Sequence, residues 1–301
     1  MKPPSSFPRP AAVALLQMSL IWGYNWVVMK QVIRYADPFD FSAIRTLLGA
    51  LSLFALLLLR RRPLKLVAAR QTILLGLLQT AAFTALIQWA LVAGGAGKTA
   101  VLVYTMPFWL VPLAAWRLGE HISPLQQAGT LVAAGGLLLI LDPWGAAHGN
   151  LTSNLLALAG SLAWALATIV AKRLRQQHAV DVLTLTAWQM LFGALALCVV
   201  AALHPSRPIE PTPYFFGALA FNALLATGLA WLLWLYVLEH LPAAIAGLSA
   251  LGIPAIGVLA GWLELGERPS NAELGGMLLI AAALLLVNLV PVLRRGGPPR
   301  S

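Results

Sequence analysis

The chain alternates long apolar runs with short polar connections along nearly its whole length. Each run has roughly 20 residues, which is what a helix needs to cross about 30 Å of hydrocarbon. The ten runs are 11–29, 41–59, 71–93, 99–116, 123–141, 151–171, 182–203, 213–238, 243–263 and 273–293. Open sheet is excluded within lipid, because every backbone N–H and C=O must be bonded internally there. The pattern therefore predicts an all-α membrane protein with ten transmembrane helices.

Charge is sparse and lies between the apolar runs. The chain is 60% hydrophobic and 10% charged with a net charge of +10, against about 25% charged in soluble domains. Basic residues crowd the connection between the second and third runs, namely Arg60, Arg61, Arg62, Lys65 and Arg70. Because Lys and Arg concentrate on cytoplasmic loops, we expect a bacterial inner-membrane protein whose tails, residues 1–10 and 294–301, are both cytoplasmic. No basic stripe with interleaved aromatic residues is present, so the expected partner is the lipid bilayer and not nucleic acid.

The two halves of the chain resemble each other in register. Ser19 to Lys30 aligns without gaps on Ser161 to Lys172, and the two segments share Ser, Leu, Trp, Val and Lys. Later matches in the same order are Gly49-Ala50-Leu51 with Gly193-Ala194-Leu195, Pro107 with Pro254, and Leu118-Gly119-Glu120 with Leu265-Gly266-Glu267. The matches predict two five-helix repeats, residues 11–141 and 151–293. Five is odd, so the second repeat enters the membrane from the opposite side, and inverted repeats are the architecture of alternating-access transporters.

Ionisable side chains are nearly absent from the interiors of the runs. Arg45, near the start of the second run, is the exception. Buried ionisable groups usually mark proton relays and ion-coupled sites. We therefore expect transport without an obligatory buried carboxylate, and a small-molecule substrate that is neutral or zwitterionic rather than phosphorylated.

The sequence offers no residue set for catalysis, for a metal or for another cofactor. Cys198 is the only cysteine, and the five histidines lie at or near the ends of the runs. An intramembrane enzyme needs clustered nucleophiles, acids, bases or metal ligands. We therefore expect no enzymatic activity, and an intramembrane enzyme or a channel stands as the alternative class.

Prolines and glycines mark special positions in the helices. Pro107 and Pro254 are equivalent in the fourth and ninth runs, and a helical proline clashes with the carbonyl four residues earlier, which predicts two matched kinks that serve as hinges. Gly257 and Gly261 form a Gly-x-x-x-Gly pair, which predicts close helix packing and leaves both a monomer and a homodimer open. Trp22 and Trp164 lie mid-helix at equivalent positions, where they form either an aromatic wall for a substrate or a packing contact.

Taken together, the Ser-x-x-Trp-Gly/Ala segments and the Leu-Gly-Glu turns resemble the EamA-type branch of the drug/metabolite transporter superfamily, and within it the aromatic amino acid exporters of the YddG type. The resemblance implies a basket of helices 1 to 4 and 6 to 9 around a central cavity. It implies export of amino acids, aromatic ones included, with drugs or other amphiphilic metabolites as the alternative cargo. The substrate-binding residues it implies are Trp22, Asn25, Gln79, Phe83, Tyr104, Trp164, Asn222, Trp231 and Ser249.

Overall fold

In the computed structural model, the described part of the chain consists of helices and their connections, without strands. The structure describes residues 9–118, 123–141, 151–204, 206–230, 233–234, 236–237 and 252–295. Its helices are α1 (Arg9–Val32), α2 (Pro38–Leu59), α3 (Ala69–Ala93), α4 (Ala96–Val103 and Met106–Leu118), α5 (Pro124–Leu141), α6 (Leu151–Gln177), α7 (Val182–Leu203), α8 (Pro213–Leu229), α9 (Gly252–Leu265) and α10 (Asn271–Arg295).

Seven of these helices, α1 to α7, are long and apolar enough to cross a bilayer. Within the described residues, α8, α9 and residues 271–286 of α10 are apolar but shorter. The helices follow the predicted runs, and the prediction of an all-helical membrane protein is confirmed. The count of ten spanning helices and their inverted arrangement stay predictions.

Polar residues at the ends of the apolar runs start the helices. Asp37 accepts a hydrogen bond from the Phe39 amide at 2.8 Å, and Asp181 accepts one from the Thr184 amide at 2.9 Å. Such side chains satisfy amides that have no partner inside the helix. These carboxylates therefore define where α2 and α7 begin.

The main contacts between the two halves come in matched sets. α2 packs on α7, α4 on α9 and α5 on α10, so that each helix meets its own counterpart. Further contacts come in pairs in which each helix is replaced by its counterpart from the other half. The contact of α1 with α9 corresponds to that of α6 with α4. The contacts of α8 with α1 and α2 correspond to those of α3 with α6 and α7. This pattern is what a pseudo-two-fold relation between two repeats produces.

Glycines permit the closest of these helix contacts. A Cβ on Gly136 of α5 would lie 2.7 Å from the carbonyl oxygen of Gly276 on α10. A Cβ on Gly257 of α9 would lie 3.2 Å from Cδ1 of Trp26 on α1, and one on Gly261 would lie 3.4 Å from the amide nitrogen of Gly97 on α4. The predicted close packing at Gly257 and Gly261 is therefore confirmed, and it is used inside the chain rather than on a surface that could face a second copy.

Candidate functional site

An aromatic trio, defined as Phe83, Tyr104 and Trp164, joins α3, α4 and α6. The Trp164 ring lies 5.4 Å from that of Phe83 at 63° and 5.9 Å from that of Tyr104 at 84°. Both are edge-to-face contacts, each of which stabilises by about 0.5–1.5 kcal/mol beyond the area it buries. All three side chains are half-buried. The structure thus brings together three residues that the sequence suggested from separate helices.

Trp22 packs against an apolar cluster that Tyr104 also borders. Its Nε1 donates a hydrogen bond to the carbonyl oxygen of Ala226 on α8 at 2.8 Å, and its ring lies 6.5 Å from that of Trp234. Tyr104 packs against the apolar cluster that contains Trp22 and also against the one that contains Trp164. Tyr104 therefore lies between the two repeat-equivalent tryptophans.

The fourth helix is interrupted at the position of Tyr104. Its first segment ends at Val103 and its second begins at Met106. The Thr105 hydroxyl donates to the Leu102 carbonyl at 2.6 Å and shares a hydrogen bond of 3.1 Å with the Ser161 hydroxyl on α6. Because Pro107 has no N–H and crowds the carbonyl of Val103, the interruption is where the sequence predicted a kink. Hinge motion there stays a prediction.

The equivalent proline of the second half lies close to the start of α9. Pro254 is the third residue of the described helix, which begins at Gly252. The residues before Gly252, including the carbonyl that this proline was expected to free, lie outside the described residues, as do Trp231 and Ser249. Their predicted roles stay predictions.

Both α3 and α8 contain a π-helical segment, at Gly76–Ala82 and Phe221–Leu229. π turns are rare and occur frequently at functional sites. Thr80 in the first segment packs against Gly193 of α7, and Thr227 in the second packs against Gly49 of α2. The two segments therefore dock on the opposite half in the same way.

The predicted amide residues differ in how they are used. Asn25 lies one helical turn after Trp22 on α1, and its Oδ1 is buried without a hydrogen-bond partner in the described residues. Gln79 is half-buried within the π segment of α3. Asn222 is 1% exposed, donates to the Ala218 carbonyl at 3.0 Å and accepts from Arg45 at 3.2 Å. Asn222 therefore links α2 to α8, and its predicted contact with the solute stays a prediction.

Polar residues along α3 also serve helix packing. Thr84 and Gln88 are buried, and the Gln88 side-chain amide donates to the Met29 carbonyl on α1 at 2.9 Å. The ammonium group of Lys30 donates to the Leu91 carbonyl at 2.6 Å and so satisfies the end of the same helix. The Gln88 and Lys30 side chains therefore tie α1 to α3.

The Leu265-Gly266-Glu267 turn, which sequence reasoning identified without a role, binds the start of α4. The Glu267 carboxylate accepts hydrogen bonds from the amides of Ala96 at 2.6 Å and Gly97 at 3.1 Å. A carboxylate at a helix N-terminus is stabilised by the unpaired amides and by the helix dipole. Beside it, the Lys98 ammonium lies 2.6 Å from the Glu273 carboxylate. The turn therefore fixes the entry of the helix that carries Tyr104.

Two features of the site had no signal in the sequence. The hydrogen bond from Trp22 ends on a backbone carbonyl, which any residue in place of Ala226 supplies. Trp234, the ring next to Trp22, was not among the residues that the sequence suggested for the site. Only the packing of α8 on α1 brings these groups together.

Comparison with known proteins agrees with this architecture. The EamA-like transporter family matches residues 9–142 and again residues 151–289. The uncharacterized transporter YoaV of Bacillus subtilis strain 168 is 29% identical over 279 residues, which cover 91% of this chain and 95% of that protein. A probable amino-acid metabolite efflux pump of Salmonella typhimurium is 27% identical over 285 residues, which cover 90% of this chain and 92% of that protein.

A solved structure shares the fold. A crystal structure matches with a TM-score of 0.66 at 19% identity, covering 93% of this chain and 98% of that one. Two successive family matches account for almost all of the chain, and the names of the family and of these relatives indicate a transporter rather than an enzyme. The chain belongs to the EamA-like transporter family of multi-pass membrane proteins, within the drug/metabolite transporter superfamily.

Proposed function

We propose that this protein exports small neutral or zwitterionic metabolites by alternating access, and that its substrates are amino acids, aromatic ones included. The observation that carries the proposal is the aromatic trio beside the interruption of α4. Edge-to-face rings that are only half-buried present faces against which an aromatic or apolar side chain stacks. The resemblance to aromatic amino acid exporters and a relative named a probable amino-acid metabolite efflux pump support the same cargo.

The paired contacts between the halves support the proposed mechanism. Residues 11–141 and 151–293 form the two repeats of this proposal, and the exchange of partners among α1, α4, α6 and α9 is what two inverted copies require. When such copies exchange conformations, an opening towards one side of the membrane becomes an opening towards the other. The interruption at Tyr104 and the proline at Pro107 supply the bending point in α4.

In this proposal, substrate recognition is divided between apolar and polar groups. Trp22, Tyr104, Phe83 and Trp164 bind the side chain of the solute. Asn25, whose Oδ1 is buried without a partner in the described residues, accepts a hydrogen bond from the solute's amino group. A buried acceptor without a partner costs free energy, and a bound ammonium would remove that cost.

The orientation in the membrane is also part of the proposal. With both termini cytoplasmic, the connection that holds Arg60 to Arg70 faces the cytoplasm and the connection between α3 and α4 faces the outside. Reporter fusions at each terminus test this. A terminal reporter that is active outside the inner membrane would contradict the assignment.

Counterflow in proteoliposomes tests the function. Purified protein is reconstituted with an internal excess of unlabelled solute, and uptake of labelled amino acids, sugars, amphiphilic cations and organic phosphates is compared with and without a pH gradient. We expect counterflow of aromatic and other neutral amino acids, with no uphill transport driven by the pH gradient alone. Counterflow of amphiphilic cations in place of amino acids would assign the alternative cargo, and its absence for every solute would contradict the proposal.

A further inference from the structure

Arg45 is a charged side chain about two turns inside a membrane-spanning helix. It lies seven residues after Pro38, the first residue of α2, which is about 10 Å along the axis at 1.5 Å per residue. Charged groups at such depth are costly, rare and generally functional. Helix packing between α2 and its neighbours does not by itself require a cation at Arg45.

The contacts of Arg45 leave most of its donors unused. Nη1 donates to the Asn222 Oδ1 at 3.2 Å, and the guanidinium carbon lies 6.0 Å from the centre of the Phe41 ring. Nε is buried and has no hydrogen-bond partner in the described residues. The ion pairs found in that part of the chain join Arg62 to Asp181 and Lys98 to Glu273, so none of them neutralises Arg45.

Arg45 lies at the contact between α2 and α8. The residue is half-buried, and its Nε is fully enclosed. Its side chain reaches Asn222 in the π-helical segment of α8 that begins at Phe221. The unused donors of Arg45 therefore lie where the two halves of the chain meet.

A carboxylate fits this arrangement better than other groups. The guanidinium presents five donors in a planar fork that matches the two oxygens of a carboxylate. A phosphate would call for further cations at close range, and the described contacts of Arg45 are a neutral amide and an aromatic ring. The Asn222 amide, held by its bond to the Ala218 carbonyl, fixes the orientation of the guanidinium.

We propose that Arg45, oriented by Asn222, binds the carboxylate of the transported solute. The inference rests on the proposed transport function and narrows its substrates to solutes that carry a carboxylate.

The experiment compares a substrate with the same molecule lacking its charge. Counterflow and intrinsic tryptophan fluorescence titration are measured with L-phenylalanine and with L-phenylalaninamide in the wild type, Arg45→Gln, Asn222→Asp and Arg62→Gln. Asn222→Asp places a carboxylate beside the guanidinium, so it competes with the solute while keeping Arg45 paired. Arg62→Gln removes an exposed arginine from the predicted cytoplasmic side and serves as the matched control.

We expect the wild type and Arg62→Gln to prefer the acid by about tenfold or more, as charge-assisted hydrogen bonds commonly provide. Arg45→Gln and Asn222→Asp should lose that preference, and Asn222→Asp should melt at or above the wild-type temperature. A preference that survives in both variants overturns this inference and leaves the transport function standing. A wild type that binds and transports neither solute overturns the proposed function and the inference together.

Discussion

The contact between α3 and α7 makes a quantitative prediction about a single methyl group. A Cβ on Gly193 would lie 2.6 Å from Cγ2 of Thr80 and 2.7 Å from the carbonyl oxygen of Gly76. The obstructing atoms include the Cβ of Thr80 and a backbone carbonyl, so rotation of a side chain cannot clear the space. Gly193→Ala therefore has to move α7 away from the π-helical segment of α3.

The magnitude follows from two opposing effects. Overpacking of a close contact costs about 1–3 kcal/mol, whereas replacing a helical glycine by alanine stabilises by about 1 kcal/mol. Gly193→Ala should be destabilised by up to about 2 kcal/mol. Gly49→Ala should be destabilised by less, because a Cβ on Gly49 would meet the movable end of the Thr227 side chain, at 2.9 Å. Gly135→Ala, which meets no atom within 4 Å, should be as stable as the wild type or more stable.

Thermal unfolding in detergent, followed by tryptophan fluorescence, measures the series. The expected order of melting temperature is Gly135→Ala at the top, then Gly49→Ala, then Gly193→Ala. Thr227→Ala should partly rescue Gly49→Ala because it removes the nearest methyl, and no change at Thr80 that keeps its Cβ should rescue Gly193→Ala. If Gly193→Ala melted together with Gly135→Ala, the close docking of the π-helical segments would be refuted.

Three further predictions concern the site. Trp164→Ala should raise the half-saturation concentration for aromatic solutes in counterflow by about tenfold, because it removes roughly 1.4 kcal/mol of ring contacts. Trp116 is 71% exposed, so Trp116→Ala should leave that concentration unchanged. Equal effects of the two substitutions would count against the aromatic trio. Pro107→Ala should lower the turnover of counterflow with little change in solute binding by fluorescence, and unchanged turnover would remove the hinge. Glu267→Gln should destabilise the protein by about 1 kcal/mol, because it weakens the cap of α4. The melting temperature should fall accordingly. An unaltered melting temperature would show that the cap does not contribute to stability.

The helices could be predicted from the sequence because lipid leaves few alternatives. Once a run is apolar and about 20 residues long, internal hydrogen bonding forces a helix. The run 182–203 coincides with α7, and Asp37 and Asp181 mark helix starts by their capping bonds. The interruption of α4 lies directly before Pro107, whereas the helix continues through Pro112; the repeat-equivalent Pro254 is what singled out Pro107 in the sequence.

The direction in which side chains face was harder to predict. A π turn inserts one residue and rotates everything after it by about 100° relative to a regular helix. Asn222 and Gln79 both lie in such segments, and regular helical periodicity therefore misplaces the faces of α3 and α8.

The two halves share a packing pattern but present unequal groups at one equivalent position. With Gly49 aligned on Gly193, Arg45 of α2 corresponds to Gln189 of α7, and the Gln189 Oε1 is buried without a partner in the described residues. A neutral amide attracts a carboxylate less strongly than a guanidinium does. If the halves exchange conformations as we propose, a carboxylate solute meets different affinities at the two membrane faces. Half-saturation constants measured in oppositely oriented proteoliposomes should therefore differ. Arg45→Gln should make the two constants equal. Equal constants in the wild type would show that the solute does not reach Arg45 on its path.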